Sequence, residues 1–156
     1  MKHLYLLLLP FIAFVSLTLA SCGNDDGSEE KWVKPTFNKA SDIIGKKMIY
    51  EDVVDKDLNY KYKSSQYSTI SFYADGTYKR TFDVYSKTGT FSFANKTATC
   101  TETDALLGYK TIIKYEFIDT NKDGYYFKVT SQIYGKDGKA NEPFTLYYRF
   151  FFTDAN

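Results

Sequence analysis

The chain has 156 residues, with 20 Lys and Arg against 19 Asp and Glu, a formal net charge of +1, and an aromatic content of 19%. His3 is the single histidine, so no imidazole is available downstream for general-base catalysis or for zinc ligation. No basic stripe gathers anywhere, which argues against a nucleic-acid partner, and the length suits one domain with a modest core.

Met1-Lys2-His3 is a short basic start, and Leu4 to Ala20 is almost wholly apolar. That run is about the length of a secretory apolar region plus its cleavage site. Pro10 inside it and the acidic flank after it speak against a stop-transfer anchor. Residues 1–21 are therefore expected to be a cleaved signal peptide. Its end, Leu19-Ala20-Ser21-Cys22, resembles the lipobox of bacterial lipoproteins. The resemblance implies that the Cys22 thiol receives a diacylglyceryl group, that the chain is cut before it, and that the new amino terminus is acylated. An ordinary signal peptide with a chance cysteine is the other reading. Each buried methylene of such a lipid contributes about 0.8 kcal/mol of membrane affinity, which makes the membrane the first expected partner. The acidic stretch Gly23-Asn24-Asp25-Asp26-Gly27-Ser28-Glu29-Glu30 is similar to the export signal of surface lipoproteins in Bacteroidota-type bacteria. It implies an outer-membrane protein facing the cell surface, with a periplasm-facing location as the alternative.

With Cys22 committed to lipid, Cys100 has no disulfide partner in the chain, and packing and sheet pairing must hold the fold. Residues 22–38 read as a flexible acidic tether. Trp32 and Phe37 interrupt it, either docking onto the domain or ending the linker. The domain proper is expected over residues 39–156. Asn38 to Gly45 reads as a short helical turn ended by the glycine.

From Lys46 the pattern is strand and turn, rich in Tyr, Phe, Ile and Thr. Strands are expected at 46–53, 67–74, 77–85, 89–94, 97–103, 109–118, 125–134 and 144–152. Asp75-Gly76 reads as a two-residue hairpin turn in which both positions tolerate positive φ. Asn95-Lys96, Asn121 to Gly124 and Lys136 to Lys139 punctuate the later hairpins. Alternation assigns an inner face to Ile70, Phe72, Tyr78, Phe82, Val84, Phe91, Phe93, Ala98 and Cys100. The same face continues through Ile113, Tyr115, Phe117, Phe127, Val129, Ile133, Leu146, Tyr148 and Phe150. Short connections make sequence neighbours sheet neighbours. The expected fold is therefore all-β, an eight-stranded antiparallel meander closed into a barrel.

Phe72-Tyr73-Ala74-Asp75-Gly76-Thr77-Tyr78, followed by Gly89-Thr90-Phe91-Ser92-Phe93, resembles the lipocalin-like domain of small Bacteroidota lipoproteins. The likeness runs from about Ile43 to Phe152. It implies a barrel with room for a small ligand. At Gly45-Lys46-Lys47 the chain departs from the family, placing lysine where a tryptophan usually closes one barrel end.

Asp119-Thr120-Asn121-Lys122-Asp123-Gly124 matches the first half of a calcium loop, but Thr130 stands where a bidentate Glu is required. A polar turn is the expected reading, with no metal and no cofactor. Arg80 has inward parity beside Tyr78, and Glu102 shares the inward parity of Cys100. A buried guanidinium needs a partner. Either Arg80, with Tyr78, Tyr115 and Tyr148, meets a carboxylate or other polar head of a ligand, or it snorkels to the barrel mouth or pairs with Glu102 as structure. On the outer face Tyr73, Tyr85, Tyr126, Tyr134, Tyr147 and Phe151 form a candidate surface for a glycan or an envelope protein, or else cross-strand pairs that stabilise the sheet. No activated nucleophile emerges, and Cys100 reads as a core residue. Two non-enzymatic functions follow. One is a barrel binding a small hydrophobic or amphipathic molecule; the other is a packed barrel that docks through its outer aromatics.

Overall fold

The computed structural model describes residues 36–64 and 68–154. The expected signal peptide, the Cys22 lipidation site and the tether through residue 35 lie outside the described residues. A 3₁₀ turn at Ala40–Asp42 leads into nine strands. They are β1 (Lys46–Val54), β2 (Tyr60–Lys63), β3 (Thr69–Phe72), β4 (Thr77–Thr81) and β5 (Ser86–Ala94). Then come β6 (Thr97–Asp104), β7 (Tyr109–Asn121), β8 (Gly124–Tyr134) and β9 (Phe144–Asp154).

Strands β1 and β3 to β9 pair antiparallel in that order, and β9 returns to pair with β1. The seam runs from Lys46 opposite Asp154 to Val54 opposite Tyr147. This is a closed eight-stranded meander, the architecture expected from alternation. Closure leaves no main edge of the aromatic strand β9 unpaired. Among the described residues no helix is long and apolar enough to cross a membrane.

The ninth strand, β2, was not expected. Its Tyr60-Lys61-Tyr62-Lys63 is exposed at every position, so it carries no one-sided apolar signal. It pairs with the second half of β1, on the edge that β3 occupies lower down. Thus β2 and β3 act as one interrupted strand.

Four other expectations are corrected by local chemistry. The hairpin between β4 and β5 turns at 82–85, where Phe82 N–H donates to the Tyr85 carbonyl at 2.8 Å. Val84, placed inside by parity, is therefore at a tip and 90% exposed. Gly89 lies within β5 because a Cβ there would meet the Thr101 carbonyl oxygen at 2.1 Å and the Tyr78 ring at 2.9 Å. Ile133 keeps inward parity but is exposed, since β8 by then is near its end at Tyr134 and close to the rim. At the β3–β4 hairpin only Gly76 has positive φ (80°). Tyr73 and Thr77 close a three-residue loop, and Asp75 accepts from Thr77 N–H and Oγ1. Asn95 and Lys96 do form a two-residue turn with both φ positive, as a twisted hairpin prefers.

Ile70, Phe72, Tyr78, Ala98, Cys100, Ile113, Tyr115, Phe127, Val129 and Phe150 are all buried in one cluster with Met48 and Ile43. Phe37 joins them at 4% exposure. Of its two open roles, docking is the one observed. Its ring centroid lies 4.6 Å from Phe117, 5.2 Å from Phe152, 5.5 Å from Tyr125 and 5.8 Å from Phe127. These residues come from the start of β8 and the ends of β7 and β9, so Phe37 plugs the end where β1 begins. Burying such a ring contributes about 2–3 kcal/mol. The opposite end, where β2 extends the wall, stays open.

Candidate functional site

A cavity of about 180 Å³ opens at that second end. Its polar lining is Tyr50, Ser64, Ser68, Arg80, Ser131 and Tyr148. Its apolar lining is Phe82, Ile113, Val129, Phe144 and Leu146. The register explains this mixture. Toward the closed end the inward positions are aromatic and fill the bore. Toward the mouth β8 offers Ser131 after Val129, and the break between β2 and β3 brings Ser64 and Ser68 to the wall.

Arg80 is the single charged residue among those lining the cavity. Its side chain is 18% exposed, and its Nη2 lies 3.0 Å from each Glu102 carboxylate oxygen. The structural pairing considered for Arg80 is thus present. The pairing does not use the whole guanidinium, because the buried Nε has no hydrogen-bond partner. The group also sits 4.8 Å over the Phe82 ring, a cation–π contact that orients it. Burial opposes the Arg80 charge, but its acidic neighbours, the Glu102 carboxylate among them, more than offset that and raise its pKa.

Glu102 does not line this cavity. It is held from below by Tyr78, whose hydroxyl donates to Oε1 at 2.8 Å. Burial, reinforced by Cys100 and the Glu102 charge, pushes the Tyr78 phenol well above its ordinary pKa, so it remains a donor. On the other side Glu102 borders a second cleft of about 380 Å³ beside Lys87 and Leu106. Lys87 is the cross-strand partner of Arg80, and its Nζ is 4.0 Å from Glu102 Oε2. Two cations therefore flank one carboxylate at the mouth.

Of the five residues expected at a ligand site, Arg80 and Tyr148 line the cavity. Tyr78, Tyr115 and Glu102 lie behind it as supports. Tyr115 Oη accepts from Tyr50 Oη at 3.1 Å, and burial holds both phenols protonated well past their ordinary pKa. Tyr50, Ser68, Ser131 and Leu146 were not singled out from sequence as site residues. They line the same cavity as Arg80 from four different places, Tyr50 on β1, Ser68 just before β3, Ser131 on β8 and Leu146 on β9.

The outer-face group fares differently. Tyr126 is 7% exposed, because it lies between its register partners Asp119 and Arg149 and its hydroxyl accepts from Asn121 Nδ2 at 3.2 Å. Tyr134 and Tyr147 are half-buried. Phe151 is exposed beside Arg149, whose guanidinium is 5.8 Å from its ring. These four do not form one open patch. Six other exposed apolar residues, Val84, Tyr85, Leu106, Leu107, Tyr109 and Phe144, lie in or beside the turns of the open end, whereas Tyr73, Ile118 and Phe151 lie toward the closed one. Asn121 to Gly124 is the β7–β8 hairpin turn, closed by Asp123 N–H donating to Asn121 Oδ1 at 2.8 Å, and Thr130 sits inside β8. No protein-family model matches the chain, and no curated protein or solved structure matches it significantly.

Proposed function

We propose that this chain is a lipid-anchored envelope protein whose barrel binds a small amphipathic molecule at its open end. The observation that carries the binding half is the mouth cavity, whose wall is shared about evenly between polar groups, a guanidinium and hydroxyls among them, and apolar side chains. Small-molecule sites are concave in this way, with placed polar groups to orient a ligand and apolar side chains to cover its body. The volume limits the ligand: an apolar cavity of roughly 150 Å³ is large enough for benzene, so a long-chain lipid does not fit. The anchoring half rests on Leu19-Ala20-Ser21-Cys22 and the acidic residues after it, which favour acylation and a place on the outer-membrane surface.

The test uses the full chain in detergent micelles, with thermal unfolding followed at increasing indole, benzyl alcohol, benzoate and hexanoate. Saturable stabilisation by at least one compound is expected, and it should disappear in Ser131→Phe, which fills the cavity. No stabilisation by any of the four overturns the binding reading. For the anchor, cells fed radioactive palmitate should label the wild type and not Cys22→Ser; an unlabelled wild type removes it.

A further inference from the structure

The charges at the mouth are divided between two sides of the wall. Arg80 and Lys87 face each other across β4 and β5, and Glu102 is the carboxylate that both approach. Glu102 is tied down by the Tyr78 hydroxyl on the side away from the cavity and balances the Arg80 charge from behind, while the half-exposed Lys87 lines the second cleft with Glu102 and Asp104. The cavity wall has no acidic residue. Beyond Arg80 it presents hydroxyls at Ser68, Ser131 and Tyr148. A cation in a part-buried, apolar setting attracts an anion far more strongly than it would in water.

We infer that the site selects a small organic monoanion, a carboxylate on a single ring or a short branched chain. This rests on the ligand-binding function proposed above and names the class of ligand. The carboxylate meets Arg80 and the nearby hydroxyls, while the apolar body packs between Ile113, Val129 and Leu146 under Phe82. Lys87, half exposed at the rim, adds long-range attraction and little contact. Glu102 acts as a competing anion, held near Arg80 so that the empty site is neutralised without being blocked. The pair sets affinity in opposite directions: the arginine draws the ligand and the glutamate weakens it.

Three probes of nearly one shape separate charge from fit: benzoate, benzyl alcohol and benzamidine. On the full chain in neutral detergent, benzoate should bind about tenfold or more tighter than benzyl alcohol, as a charge-assisted hydrogen bond implies, and benzamidine should be rejected. Arg80→Met should abolish the benzoate advantage while leaving benzyl alcohol binding in place. Glu102→Gln, which keeps an acceptor for Tyr78, should tighten benzoate several-fold. The wild-type comparison stands even if a variant fails to fold. Equal binding of benzoate and benzyl alcohol, or a preference for benzamidine, overturns the anion assignment while leaving a small-ligand site intact. Binding of none of the three, nor of indole or hexanoate, removes the ligand-binding function itself.

Discussion

Arg149 of β9 donates to Asp52 of β1, and its Nη2 also lies 3.0 Å from Glu51 Oε2. One guanidinium thereby holds two consecutive carboxylates across the seam where the barrel closes. The irregularity in register between Tyr50 and Asp52 makes this possible, since it inserts Glu51 as an extra residue against β9. A β-bulge re-aims side chains in this way.

Arg149→Met should cost about 3 kcal/mol, because it leaves the buried Asp52 carboxylate without its counter-charge. The double variant with Asp52→Asn should be less damaging than the sum of the two single changes, the signature of a direct pair. Urea unfolding of the four proteins measures both quantities, and strict additivity would show that the seam is held elsewhere.

The Phe37 plug makes a sharper claim on stability. Phe37→Ala should destabilise the barrel by about 3–4 kcal/mol, in the range for deleting a buried ring. An unchanged denaturation midpoint would mean that the ring is a passenger on the surface of the core.

Two glycines separate crowding from backbone strain. Gly89→Ala forces a methyl into the Thr101 carbonyl and the Tyr78 ring, with an expected loss of about 2–3 kcal/mol. Gly76→Ala meets nothing within 4 Å but must hold a φ of 80°, which costs about 1 kcal/mol. The order of the two melting temperatures checks the distinction.

Burial raises the phenols of Tyr50, Tyr78, Tyr115 and Tyr148 above their ordinary value, which in the unfolded chain is about 10. Their contribution to stability is complete below that pH. Above it the unfolded chain loses phenolic protons that the folded chain keeps, so stability falls as the pH rises. Tyrosinate absorbance should therefore show a cooperative step that coincides with loss of circular dichroism. Smooth titration of all tyrosines without unfolding would contradict the buried cluster.

The barrel was legible because its wall strands obey a period of two. Cys100 and Tyr115 fall inside as alternation demands, and the shared parity of Arg80 and Glu102 brought that pair together on paper. What escaped depends on where a strand stops. Val84 obeys the parity of Phe82, yet the chain has already turned there, so the rule places it in a core it never enters. Tyr60 and Tyr62 gave no face because both faces of β2 are wet. The cavity was harder still. Ser131 and Tyr50 are unremarkable in sequence, and nothing local tells that β8 and β1 carry them to the same mouth as Arg80. Tyr126 was misjudged for a related reason: outward parity does not mean solvent when a long arginine lies alongside.

The two ends of the barrel divide the labour between endurance and adaptability. The aromatic floor around Phe37 carries cohesion, while the turns at 82–85, 105–108 and 135–143 frame the opening with little of the core attached. Those turns can be lengthened, shortened or recomposed at modest energetic expense, so new recognition properties can arise at the brim without any change in the foundation beneath.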